Sequence, residues 1–405
     1  MTTTAPTSES ELYYDPWDFG IDADPYPVWK RMRDEAPLYY NEQHDFYAVS
    51  RFDDVSRVLK DWETFSSAKG TLIELIRIDY NAPGTIIFED PEDHDLHRAL
   101  LTRVFRPRDI AALEPSIRDY CADYLDRQKG SKGFDLVQEF GTQIPMHTIF
   151  QLLGVPLEDQ VKLRHAIDQT LVPDEHGNIQ MADPKAVGDR QSELYREYVE
   201  WRAEHPADDI MTELLNAEFT DSAGENRTLS VEEVLGYINL LAAAGNETTT
   251  RLISFAGKLL AEHPDQRADL VADPSLIPNA VEELLRFEPP SPAQARYVTK
   301  DVEFHGQVVP AGSIMLALNG SANRDERQFG ETANEFNIHR KINRHVAFGF
   351  GIHFCLGAAL ARLEGRVALE ELLKRFPSWE VDLEHAEQAH TSTVRGWNKL
   401  PILLP

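Results

Sequence analysis

Cys355 lies in the run Phe348-Gly-Phe-Gly-Ile-His-Phe-Cys-Leu-Gly357, between glycines and the start of a helical pattern. Leu356, Leu360, Leu363 and Val367 recur at helical spacing, which puts the cysteine near a helix N-terminus. Unpaired N–H groups and the macrodipole there favour an anion and lower a thiol's pKa. Gly349, Gly351 and Gly357 have no Cβ and would let the backbone turn sharply and lie close under a large flat ligand. A free cysteine with no such surroundings is ordinarily a small buried hydrophobe. One sulfur ligand is too few for structural zinc. A haem iron takes its in-plane ligands from its own macrocycle, so a single cysteine suffices there.

The run resembles the cysteine-loop signature of the cytochromes P-450, in which Phe, two residues, Gly, three residues, Cys, one residue and Gly match Phe348, Gly351, Cys355 and Gly357. The resemblance spans about residues 13–405. It implies haem b (iron protoporphyrin IX), with Cys355 as the metal ligand that donates electron density to favour O–O cleavage. Ala244-Gly-Asn-Glu-Thr-Thr249 is similar to the family's oxygen-activation motif. By that resemblance Ala244 and Gly245 open a groove for dioxygen, Glu247 relays protons and Thr248 positions by hydrogen bonding. On its own the motif reads equally well as a helix carboxylate in a salt bridge beside a threonine bonded to the preceding turn. His94 and Arg98, one helical turn apart, match the family's His-x-x-x-Arg pair, and Arg296 and His353 match two further propionate-binding positions. Glu283-Leu-Leu-Arg286 matches the family's buried Glu-x-x-Arg pair, a scaffold element that would hold Phe336-Asn-Ile-His-Arg340 and through it the cysteine loop.

The activity implied is that of a bacterial-type monooxygenase, an oxidoreductase that hydroxylates or epoxidises a hydrophobic small molecule with O2. Two electrons would come from NAD(P)H through a ferredoxin reductase and a ferredoxin. Arg340, Lys341, Arg344 and His345, with Arg103, Arg106 and Arg108, form a basic patch that would steer an acidic ferredoxin towards the cysteine. By analogy, Gly70–Asp79 covers the substrate pocket with Leu72, Ile73, Leu75 and Ile76, while Ala243, Gln294, Val394 and Trp397 complete the lining. Gln294, Arg77 or Arg395 would anchor a carbonyl or carboxylate, which suits a terpenoid or a branched fatty acid. A peroxide-driven hydroxylase of the same fold and a non-catalytic haem-thiolate binder are the rival readings. Neither needs Glu247 and Thr248.

Helical periodicity must position these groups: helices are expected around 26–34, 93–104, 108–128, 183–204, 229–262, 278–287 and 356–376. Strand-like alternation is confined to pieces such as 46–49, 302–304 and 314–318. The fold class is therefore mainly α with a small β region, and the resemblance adds a long central helix over haem with the cysteine loop opposite. That helix starts at a capping box of Ser230 and Glu233, and its apolar middle predicts burial, a buried Glu247 and a local distortion at Gly245. No linker composition divides the 405 residues, so a polar tail over 1–12 and a single domain over 13–405 are expected. The 68 acidic against 40 basic residues give a net charge of −28, which disfavours nucleic acid and anionic membranes. Two cysteines, no membrane-length apolar run and no signal-peptide pattern point to a cytoplasmic protein. A monomer is expected, and the sequons at Asn226 and Asn246 are set aside in that compartment.

Overall fold

The computed structural model describes residues 12–78, 85–156, 159–160, 184–221, 223–390 and 394–405. The expected tail, apart from Leu12, and Asp79 of the covering loop lie outside the described residues, as does residue 183 of one expected helix. Helices dominate, with small sheets of two to five strands among the described residues. The five-stranded sheet runs in the order Leu38–Asn41, Phe46–Val49, Ile314–Ala317, Gln294–Val298, Phe65–Ser66. Only the pairing of Phe46–Val49 with Ile314–Ala317 is parallel; Met315 there sits opposite Tyr47 and Ala317 opposite Val49. Tyr14, Trp29, Met32, Tyr39 and Phe46 pack on one side of this sheet, whereas Phe52, Val55 and Phe65 join Met315 in a second cluster.

The helical core is organised by Val231–Glu262, whose 32 residues make a rod about 48 Å long. Its start is the expected capping box: the Ser230 hydroxyl accepts from the Glu233 amide, and the Glu233 carboxylate accepts from the Ser230 amide. The helix continues through Gly245 with no break in its span. The glycine serves close packing. A Cβ there would stand 2.7 Å from Ile149 Cδ1, on the neighbouring helix Gln143–Leu153. Pro184–Glu204, Ile277–Phe287 and the C-terminal helix Ala358–Arg375 pack on the other sides.

The expected helix over 108–128 is two helices, Pro107–Ala111 and Glu114–Asp126. Pro115 explains the break, since it has no N–H to donate to the carbonyl of Ala111 and belongs in a first turn.

Two buried acids hold the helical core together. Glu283 and Arg286 are both fully buried and joined by two bonds of 2.7 Å. Arg286 also donates to the carbonyls of Asn323 and Ala333 at 2.8 Å, and Glu283 accepts from the Asn337 amide at 2.9 Å and from Arg340 Nε at 3.3 Å. The Asn323 side chain then receives the Val346 amide at 2.8 Å, which carries the restraint into the segment before Cys355. The second acid, Glu364, accepts from the Thr249 hydroxyl at 3.1 Å and so ties the C-terminal helix to the long helix. Loss of water pushes its carboxyl up to about 8, against bonds from Thr148 and Thr249 that act to lower it.

These acids give two predictions. Arg286→Met leaves the Glu283 carboxylate buried without its bidentate partner and should lower the unfolding free energy by about 3–5 kcal/mol in urea titration; a loss below 1 kcal/mol would contradict the scaffold role. The native state holds a proton on Glu364 that the unfolded chain, with its carboxyl near 4.5, releases. Stability should therefore fall by about 1.4 kcal/mol per pH unit between these two pKa values as pH rises, from this group alone. Urea midpoints compared from pH 5 to 8 should show a shallower fall in Glu364→Gln, and parallel curves would contradict the assignment.

Candidate functional site

Cys355 stands just before the C-terminal helix, as its spacing predicts, with its amide donating to the Phe348 carbonyl at 2.9 Å. The loop that presents it crosses helix Phe52–Lys60 so closely that a Cβ on Gly351 would lie 2.8 Å from the Leu59 carbonyl oxygen; φ there is +77°. Glycine is thus required against the protein's own backbone. Gly357, by contrast, has an ordinary φ of −81°. The expectation of a lowered thiol pKa is not met in the protein alone: burial pushes it up, and the Gly357 amide, Arg98 and Arg362 act in the opposite direction. Arg362 also lies over the Phe348 ring, 4.6 Å from its centre.

Four nitrogen-bearing side chains converge beside this loop. His94, on helix Asp93–Val104, is buried, and its ring meets that of His353 edge to face at 4.6 Å. Nε2 of each is buried without a hydrogen-bond partner. Arg98, one turn on from His94, donates to the Phe354 carbonyl at 2.7 Å. Arg296, on strand Gln294–Val298, is buried and donates to the Ala295 carbonyl and to Gln294 Oε1. Burial, together with Arg296, His94 and Arg98, pushes the His353 imidazole down to about 3, and burial pushes Arg296 down to about 10. Such a set, holding oxygen acceptors other than carboxylates on both arginines and two unused ring nitrogens, suits an anionic group.

On the long helix, Ala243 and Ala244 are exposed while Thr249 and Thr250 just beyond them are buried. Glu247 is not buried as expected; its side chain is 37% exposed and it accepts from Arg251 Nη2 at 3.0 Å. The Thr248 hydroxyl donates to the Ala244 carbonyl at 2.9 Å.

The expected pocket residues separate. Ile73 and Ile76, on the short helix Ile73–Arg77, pack into the core cluster with Tyr14, Trp29 and Phe46, whereas Leu72 is half-buried and Leu75 buried outside that cluster. Val394 is buried, and Trp397 packs half-buried against the main core. Arg395 is not available to a substrate carboxylate. It is buried, with bonds to Glu288 at 3.1 Å and to the Asp22 carbonyl at 3.1 Å. Arg77 lies over the Trp17 ring and donates to the His44 carbonyl.

The basic patch is smaller than its residue types suggested. Arg340 is spent on Glu283 and on Thr332, and His345 is buried against Glu282. Arg103, Arg108, Lys341 and Arg344 remain exposed, although Arg108 contacts Asp109. Sequence reasoning missed Glu364, Arg251 and the exposed Phe354 beside the cysteine. Glu364 and Arg251 do fall on helical faces that meet other elements, but only the packing tells which.

The Cytochrome P-450 family model matches residues 34–273 and 266–395. Cytochrome P-450 123 of Mycobacterium tuberculosis is 39% identical over 98% of this chain and 98% of its own. A solved cytochrome P-450 of Chondromyces apiculatus has a TM-score of 0.85 at 34% identity, covering 96% of this chain and 98% of that one. A cytochrome P-450 of Bacillus megaterium, solved in complex with corticosterone, has a TM-score of 0.83 at 32% identity, covering 94% and 98%. The donor set around Cys355 fits that family's prosthetic group, because a thiol and an anion-seeking cluster of two arginines and two imidazoles face one region. Fold, motifs and relatives together make this chain a member of the cytochrome P-450 family, a monooxygenase that binds haem b through a cysteine thiolate.

Proposed function

We propose that this enzyme hydroxylates a neutral, polycyclic terpenoid-like substrate in the cytoplasm, with Cys355 as the haem ligand and electrons arriving from NAD(P)H through a ferredoxin reductase and a ferredoxin. The carrying observation is the convergence of Cys355 with His94, Arg98, Arg296 and His353: two guanidiniums bonded only to neutral oxygens, and two buried ring nitrogens without a hydrogen-bond partner. His94, Arg98, Arg296 and His353 would hold the two propionates, and Phe348 and Gly357 would flank the ligand. Bound haem supplies the oxygen-activating and oxidising chemistry.

The chain supplies position, dryness and protons. Ala243 and Ala244 leave the open side of the long helix free of bulk for dioxygen and substrate, while Gly245 lets Ile149 pack closely on its other side. Glu247, the half-exposed carboxylate there, takes the role of proton relay, and Thr248 that of hydrogen-bonding partner once its hydroxyl turns from the Ala244 carbonyl. Leu72 and Leu75, with Val394 and Trp397, are the apolar contacts offered to substrate.

A neutral substrate is favoured over a fatty acid because the expected anchors have other commitments: Arg395 to Glu288, Arg77 to His44, and Gln294 to Arg296. The Bacillus megaterium relative's complexes with corticosterone and testosterone support a rigid polycyclic class. For the electron donor, exposed Arg103, Lys341 and Arg344, together with an exposed Phe354 beside the cysteine, favour an acidic protein with an apolar contact point. A groove of about 710 Å3 lined by Ile110, Pro278, Leu363 and Arg362 opens nearby. No helix among the described residues is long and apolar enough to cross a membrane, and Cys121 and Cys355 are unpaired, which supports a reducing compartment.

The first test is a reduced, carbon-monoxide-bound difference spectrum. A strongly red-shifted Soret band should appear in the native protein and vanish in Cys355→Ser; its absence from haem-loaded native protein would remove the reading. Thr248→Ala should keep that band while diverting NAD(P)H electrons to hydrogen peroxide, and unchanged coupling would remove Thr248 from proton delivery.

A further inference from the structure

Arg251 follows Glu247 by one turn of the long helix, and its guanidinium bonds in two directions. Nη2 donates to Glu247 Oε1 at 3.0 Å, while Nη1 donates at 2.5 Å to the carbonyl of Trp397 on strand Arg395–Lys399. The Arg251 side chain is 8% exposed, and its buried Nε has no hydrogen-bond partner. The strand can approach only because residue 396 is glycine: a Cβ there would stand 2.6 Å from Arg251 Cδ, with φ at +149°. Strand Arg395–Lys399 pairs with Glu387–His390 in a two-stranded hairpin that also packs on the long helix. One cation therefore links the acid of the Ala244–Thr249 segment to a hairpin that carries Trp397.

A guanidinium is a rigid planar fork, so its two bonds are not independent. Moving the Trp397 carbonyl rotates the plane, and rotation changes the direction of the bond to Glu247. Charge-assisted bonds of this kind are strong enough to select one rotamer of a half-exposed carboxylate. We propose that Arg251 is a positioning residue for proton delivery, setting the orientation of the Glu247 carboxyl according to where the hairpin lies. If Trp397 is the substrate contact proposed above, substrate that moves it would adjust the relay. The proposal rests on the reading of Glu247 as that relay.

The test uses the haem-loaded enzyme with ferredoxin and reductase, and testosterone as the probe. Hydrogen peroxide released per oxygen consumed is compared in the native enzyme, Arg251→Met, Arg251→Lys, Glu247→Gln and the Glu247→Gln/Arg251→Met double variant. Arg251→Met should raise the peroxide share several-fold, and Arg251→Lys, which keeps the charge but reaches one partner, should restore part of the loss. The double variant should be no worse than Glu247→Gln alone. Independently of turnover, the infrared carboxyl band that disappears in Glu247→Gln should shift in Arg251→Met. If Arg251→Met does not fold, Gly396→Ala displaces the guanidinium without removing it and should give the same shift.

An unshifted band, or peroxide effects that multiply in the double variant, would overturn the positioning role. A Glu247→Gln enzyme with native coupling would instead overturn the relay, and the proposal with it. The infrared shift distinguishes the two failures, because it reports the tie whether or not protons pass through Glu247.

Discussion

The buried Glu283–Arg286 pair is the constraint on which the cysteine loop depends. Two ions out of water are costly unless every donor and acceptor is used, and here the spare capacity is filled by backbone from residues 323 to 337 and by Arg340. The arrangement converts a desolvation cost into a geometric specification. Irregular chain that has no ladder of its own is fixed by two guanidiniums, of Arg286 and Arg340, that each satisfy several of its carbonyls. The restraint passes through Asn323 to Val346, and two residues later the chain reaches Phe348, whose carbonyl receives the Cys355 amide. The pair takes no part in chemistry, yet the position of the thiol follows from it.

The long helix does two jobs on opposite faces. Its buried side is held by Thr249 on Glu364 and by close packing of Ile149 over Gly245. Its open side carries Ala243, Ala244 and the Glu247–Arg251 pair. A helix clamped on one side can keep small residues and a partly solvated acid on the other without collapsing over them, which ordinary packing would otherwise favour. The fully buried Glu364 is tolerated because it can remain protonated and be bonded by threonines.

Much of this was legible from local signals. The capping box at Ser230, the bounds of Tyr26–Glu35 and Asp93–Val104, the strand Phe46–Val49 and the helix start after Cys355 all follow from caps, period and breakers over short spans. The mainly α class followed from helical periodicity, and the family of folds from the motifs. What was not legible depends on contacts between distant segments. Nothing local separates Ile73 and Ile76, which enter the core beside Tyr14, from Leu72 one residue away. Arg395 reads as a free cation until Asp22 and Glu288 arrive from elsewhere in the chain. Gly245 likewise answers to Ile149 on another helix, a contact its own neighbours in sequence do not reveal. The break before Glu114 is different: Pro115 was a local signal, and a continuous apolar pattern masked it.

The same distinction governs the charges near the cysteine. Counted by type, Arg340 and His345 belong with Lys341 and Arg344; by contact, the first two are structural and the second two face solvent. On a chain of net charge −28, a few exposed cations in the segment before Cys355 matter more than the total. Screening restricts an approaching protein to charges within about 8–10 Å at ordinary ionic strength, so the acidic partner proposed above would be repelled over most of the surface and attracted only at its exposed cations. On the proposed electron route the adverse net charge would sharpen docking by removing competing orientations, leaving those in which an acidic partner meets the exposed cations on the side where Arg98 holds the Phe354 carbonyl, one residue before Cys355.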